Sequence, residues 1–300
     1  EINTGDMVTL EELAEKFAST SNPWALFLGT GVSVENGWES RQALSELARQ
    51  ACKTAPDLPV SQKIRQAVQN HDFMELSGAL FGDIWDGSSF LDEDRERNIM
   101  LRNAYRERLR GKDEINVHKV NKHPWLRELI GKFPGIILTI CQDDTVEAFW
   151  EYENSLPADT IVYTPQLIAD SNHWSRWLCA TEDEVAYLKS QSESSVDATV
   201  LVKLFGTRDE PTKMLLSKHD VGHFYPPDIG RADKNRGNTI RFLEKIFDSY
   251  NVLFVGADLE NDWLLGSAEG ILKILEREPR GGAARYALLC GEIDSKDHIQ

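Results

Sequence analysis

Three hundred residues, 41% hydrophobic and 27% charged, suffice for one large globular domain or two modest ones with a sizeable core. The formal net charge of −16 opposes broad attraction to nucleic acid or to anionic membranes, both of which need a basic surface. Cys52, Cys141, Cys179 and Cys290 form no C-x-x-C pair, which argues against a cysteine zinc site and for free thiols in a reducing cytoplasm.

Thr9-Leu-Glu-Glu12 has the form of a capping box and opens a helix to about Ser19. Trp24 to Leu28 is a continuous apolar run, the pattern of a buried parallel strand. It runs directly into Gly29-Thr-Gly-Val-Ser33. Glycines there let the backbone turn tightly and approach a ligand, and amides freed at such a turn can hold a phosphate. The loop therefore reads as a phosphate cradle or as an ordinary strand-to-helix turn. The dinucleotide fingerprint wants a third glycine where this chain has Val34.

From Ser40 to Phe133 the pattern is mainly helical. Leu44, Leu47, Ala48 and Ala51 share a helical face, as do Phe73, Leu76, Leu80 and Phe81. Ile99, Leu101, Tyr105 and Leu109 mark a longer helix whose basic run, Arg95 to Lys112, reads as a solvated face. Pro124 sits early in a short helix to Ile130. This stretch exceeds an ordinary crossover and reads as a helical insertion, residues 39–133, over the ligand edge of a sheet.

Further strands are expected at 135–139, 160–163, 199–204, 252–255 and 285–289. Helices are expected at 146–152, 182–189, 240–250 and 263–275. Alternating strands and helices imply an α/β fold, a Rossmann-like doubly wound, mainly parallel sheet, with residues 1–300 forming one domain. In such sheets ligands bind at the carboxyl ends of the strands. Four strand ends carry polar or glycine-bearing tips: Gly29-Thr-Gly, Cys141-Gln-Asp-Asp, Phe205-Gly-Thr and Gly256-Ala-Asp. They should converge on one cleft. Gln191 to Val196 reads as an exposed loop, and Trp174 and Trp177 as helix-to-sheet packing. His219 and His223 are four apart but lack the Glu of an H-E-x-x-H site, so no metal is expected. No apolar run approaches the ~20 residues of a membrane span. The polar start, Glu1 to Asp6, shows no secretory signal, and the first Met is Met7, as in an excised fragment.

These tips, in this order, resemble the sirtuin-like domains of bacterial NAD-consuming defence proteins. Phe27-Leu-Gly-Thr-Gly-Val-Ser33 is similar to the family's F-L-G-A-G-V-S loop, and Ile137 to Glu147 to its I-L-T-T-N-Y-D-D-L-L-E segment. Val202-Lys-Leu-Phe-Gly-Thr207 is similar to V-I-K-L-H-G-S, and Leu253 to Asn261 begins like L-F-V-G-Y-S-L-E-D. The resemblance implies NAD, ADP-ribose or a related nucleotide held by Gly29, Thr30, Gly31, Val32, Ser33, Asp143, Gly206, Gly256 and Asp258. It also implies a homo-oligomer or other domains of a longer chain as partners.

Two departures bear on activity. Cys141 replaces the Asn that contacts the ribose and positions water, and Phe205 replaces the His that acts as base. Phenylalanine accepts no proton, and cysteine does not reproduce an amide's paired hydrogen bonds. Asp143 survives. The resemblance thus implies a nucleotide-binding sensor or assembly module with a degenerate catalytic site. The alternatives are an NAD glycohydrolase using Asp143 with His219 or His223, and a structural module with a closed pocket that Phe205 fills; taken separately, Cys141 reads as a nucleophile if its pKa were lowered or as a small buried residue in the space of the missing Asn.

Overall fold

The computed structural model describes residues 10–20, 22–34, 40–54, 59–82, 92–111, 115, 124–133, 135–154, 162–163, 165, 200–227, 236–257, 263–279 and 282–288. Among the described residues six strands form one sheet: β1 (Trp24–Leu28), β2 (Ile136–Thr139), β3 (Val162–Tyr163), β4 (Val200–Lys203), β5 (Asn251–Val255) and β6 (Arg285–Leu288). Their order is β3-β4-β2-β1-β5-β6, and every pairing is parallel. β1 is central, with Leu26 opposite Ile137 of β2 on one side and Leu253 of β5 on the other.

Alternation along the strands feeds two cores. Ala25, Phe27, Leu138, Val202 and Phe254 face one core, and Trp24, Leu26, Leu28, Ile137 and Val255 the other. Both faces are covered, as a parallel sheet requires. On the first side lie α3 (Ser40–Thr54), α4 (Pro59–Gln69), α5 (Phe73–Phe81) and α10 (Arg236–Ser249). On the second lie α7 (Pro124–Lys132) and α8 (Thr145–Asn154). α1 (Leu10–Ser19) adds Leu13 to that side. The four-residue α2 (Gly31–Val34) follows β1, and α6 (Asp92–Arg106) precedes α7 within the insertion. The doubly wound sheet and the helices between β1 and β2 are as the sequence predicts.

Two expectations change. The basic run of α6 is not wholly a solvated face: Arg102 is fully buried. Its Nη2 donates to Asp220 Oδ2 at 2.6 Å, its Nε to Asn98 Oδ1 at 2.8 Å, and its Nη1 to the Met214 carbonyl. Such satisfaction is what makes a buried guanidinium tolerable. The helix expected over 263–275 is broken into α11 (Trp263–Ser267) and α12 (Glu269–Glu276). The break seats Gly270 against the backbone of residues 225–226, where a Cβ would lie 2.6 Å from the Pro226 carbonyl oxygen. Trp174, Trp177, Asp258, the helix expected at 182–189 and the loop at 191–196 lie outside the described residues.

Candidate functional site

β4, β2, β1 and β5 are neighbours, and parallel pairing puts their carboxyl ends on one edge. The four tips meet there. Gly29 N–H donates to Val255 O and Gly31 N–H to Gly256 O, each at 2.9 Å. Cys141 Sγ donates to Gly29 O at 3.3 Å, and Gln142 Nε2 to Phe205 O at 3.0 Å.

These bonds extend the β1–β5 ladder past the strand ends and explain the glycines. A Cβ on Gly29 would stand 2.2 Å from Ala257 Cα, and one on Gly31 2.7 Å from Gly256 O. Gly256 itself has φ +61, which favours glycine. The sequence suggests glycines that admit a ligand; here they admit the neighbouring loop. Val32 and Ser33 N–H groups donate to Gly29 O and Thr30 O at 3.2 and 2.9 Å. Four of the five loop amides thus already serve protein carbonyls.

The loop offers hydroxyls instead. A recess of about 20 Å³, room for a water or one hydroxyl, opens between the β1 and β2 tips. Thr30 and Ser33 line it with Cys141, Gln142 and Asp143, and the insertion contributes Arg110. The Ser33 side chain is 6% exposed, and its Oγ has no hydrogen-bond partner of normal geometry. Its neighbour is the Cys141 thiol, which leaves the hydroxyl capacity for a further hydrogen bond to a group entering the recess. Asp143 Oδ1 accepts from Thr145 N–H at 3.1 Å, which fixes the carboxylate at the start of α8.

Cys141 is 3% exposed, and its backbone N–H donates to Thr139 Oγ1 at 3.0 Å. Its pKa is pushed up to about 12, first by burial and then by the negative charge of Asp143. The hydroxyls of Ser33 and Thr139 and the charge of Lys203 offset only part of this. The group at this position is therefore a thiol, with no nucleophilic thiolate near neutrality.

Phe205 is fully buried in the core, its ring 5.9 Å from that of Tyr225, and it does not line the recess. Gly206 follows at φ +84 and packs against the Met214 backbone. Gln142 ties the tips together: besides Phe205 O, it donates to Leu215 O at 3.3 Å and accepts from Tyr105 Oη at 3.2 Å. Beneath the cleft Lys203 is fully buried, donating to Glu147 Oε1 and to the Asp143 carbonyl, both at 2.6 Å. Burial alone would lower its pKa, but Glu147 and then Asp144 outweigh that and hold it raised. Glu147 is also raised, by burial, against the pull of Lys203.

His219 and His223 lie half-buried on α9 (Lys218–Phe224), and neither lines the recess. Between them Asp220 closes the pair with Arg102. Sequence reasoning did not single out Arg110, Gln142 or Lys203. Lys203 carried a signal, a lone charge inside an apolar strand run; Arg110 carried none. Among the described residues no group of three or more His, Cys, Asp or Glu is placed to hold a metal, and no helix is long and apolar enough to cross a membrane.

No curated protein matches this chain. The family model for the SIR2-like domain matches residues 136–298, from β2 through β6, more than half of the sequence. With the parallel sheet and the polar tips gathered at its carboxyl edge, that match makes the chain a member of the SIR2-like domain family.

Proposed function

We propose that this domain binds NAD, ADP-ribose or a related nucleotide without cleaving it, and serves a larger protein as a sensor or assembly unit. The observation that carries the reading is the recess itself. It presents the Ser33 hydroxyl, the Asp143 carboxylate and the Arg110 side chain together at the end of the sheet. Those groups suit a ribose hydroxyl and an adjoining phosphate. At the two positions aligned with the family's catalytic Asn and His stand a protonated thiol and a core phenyl ring. Neither takes a proton from water near neutral pH.

One observation favours a second reading, a purely structural module. The amides of Gly29, Gly31, Val32 and Ser33 are committed to protein carbonyls, as a closed pocket would have them. Mixing the purified chain with NAD and following both thermal shift and nicotinamide release separates the readings. A shift without release is expected. No shift supports the structural module, and release at an enzymatic rate overturns both.

A further inference from the structure

We infer that the site prefers ADP-ribose to intact NAD; this rests on the nucleotide-binding reading above. The two ligands share an adenosine diphosphate and a ribose, and differ in the ring that NAD carries at C1′ of that ribose. If the 2′-hydroxyl of that ribose occupies the recess beside Ser33 and Asp143, C1′ is the carbon next to the one that bears it. Anything attached to it must find space against the same walls.

Those walls are close and fixed. The recess has room for about one water, and its remaining lining includes Leu109, Ile140 and the Cys141 side chain. Cys141 cannot retreat, because Ile140 N–H is tied to Leu28 O at 3.1 Å and the Cys141 N–H to Thr139 Oγ1 at 3.0 Å. Gly29 opposite is pinned to Val255 O at 2.9 Å and sits against the Ala257 backbone. Widening the recess to take an aromatic ring would break the ladders on both sides of β1. The hydroxyl that ADP-ribose carries at C1′ demands no such room. It can also hydrogen-bond Asp143 or Ser33, which a ring nitrogen bonded to C1′ cannot.

The test is calorimetric titration of the whole 300-residue chain with ADP-ribose and, separately, with NAD, monitoring free nicotinamide in the second cell. ADP-ribose is expected to bind at least tenfold more tightly. Equal or tighter binding of intact NAD overturns the preference and leaves the nucleotide reading standing. Binding of neither overturns the nucleotide reading and this inference with it. A Cys141→Ala chain, folded by circular dichroism, should narrow the gap by removing the sulfur from the wall. A gap that stays the same in that variant shows the ring is rejected elsewhere and overturns the steric assignment.

Discussion

Arg102 of the helical insertion and Asp220 of α9 form an ion pair of 2.6 Å with both side chains withdrawn from solvent. Asp220 Oδ2 also accepts the backbone N–H groups of Leu216 and Ser217, each at 3.1 Å. The pair therefore fastens α6 to the segment that follows the β4 tip. Removing one partner strands the other charge in the core. Arg102→Met and Asp220→Asn should each cost about 3–5 kcal/mol, read from urea unfolding. The double variant Arg102→Met/Asp220→Asn should cost less than the sum of the singles. Strict additivity would show that the two side chains do not act as a pair.

Glycine substitutions should divide sharply by location. Gly29→Ala puts a Cβ 2.2 Å from Ala257 Cα, backbone that cannot step aside. We expect a loss at or beyond the top of the ~1–3 kcal/mol range for overpacking. Gly31→Val meets Gly256 O and reports folding, so lost binding in that variant would say nothing about a phosphate. Gly78, inside α5, has nothing within 4 Å of its Cβ position. Gly78→Ala should therefore stabilise the chain by about 0.4–1 kcal/mol. Melting temperatures of the three variants decide the matter.

The Cys141 thiol, held up to about 12, should resist alkylation at pH 8 in the folded chain and react once the chain unfolds. The sign of the pH effect follows. The folded state keeps this proton more tightly than the unfolded chain, whose thiol titrates near ~8.5. Stability from this group is complete below that value and falls as pH rises from there towards 12. The slope should approach ~1.4 kcal/mol per pH unit and be absent in Cys141→Ala. Parallel pH–stability curves for the two proteins would contradict the assignment.

Restoring the family's residues should not restore catalysis. Phe205 is packed in the core beside Tyr225, away from the recess, so an imidazole there is a buried polar group facing no ligand. Phe205→His should cost about 1–3 kcal/mol unless its nitrogens find partners. Cys141→Asn/Phe205→His should release nicotinamide no faster than the unaltered chain. A gain of roughly 100-fold or more, the lower bound of side-chain acid–base help, would place residue 205 in the cleft after all.

The sheet was legible because its strands are short apolar runs ending in punctuation: Leu28 before Gly29, Val255 before Gly256. Such patterns are local, and so is the capping box of α9, in which Ser217 and Asp220 exchange hydrogen bonds. What stayed hidden was set by distant partners. Arg102 reads as one more surface charge until Asp220, 118 residues away, is placed against it. The glycine loop reads equally as a ligand cradle or an ordinary turn until the end of β5 is seen to take the amides of Gly29 and Gly31. The helix expected over 263–275 breaks at Ala268, beside Gly270, which packs against the backbone of the distant Tyr225 and Pro226. At the recess, Cys141, Asp143 and Ser33 lie on tips that the sequence order already brings to one edge. Arg110 depended on how the insertion folds back, which no local pattern specifies.

The central position of β1 has a consequence for cutting the chain. The family match begins at Ile136, yet β1 lies between β2 and β5 and is hydrogen-bonded to both. A fragment of residues 136–298 would carry a slot with two raw, apolar strand edges where Trp24 to Leu28 belongs. Such edges invite pairing with other chains. The same slot makes the protein a candidate for fragment complementation: a synthetic segment spanning β1 and its glycine loop, added to the remainder, would complete the sheet and deliver Thr30 and Ser33 to the recess in one step.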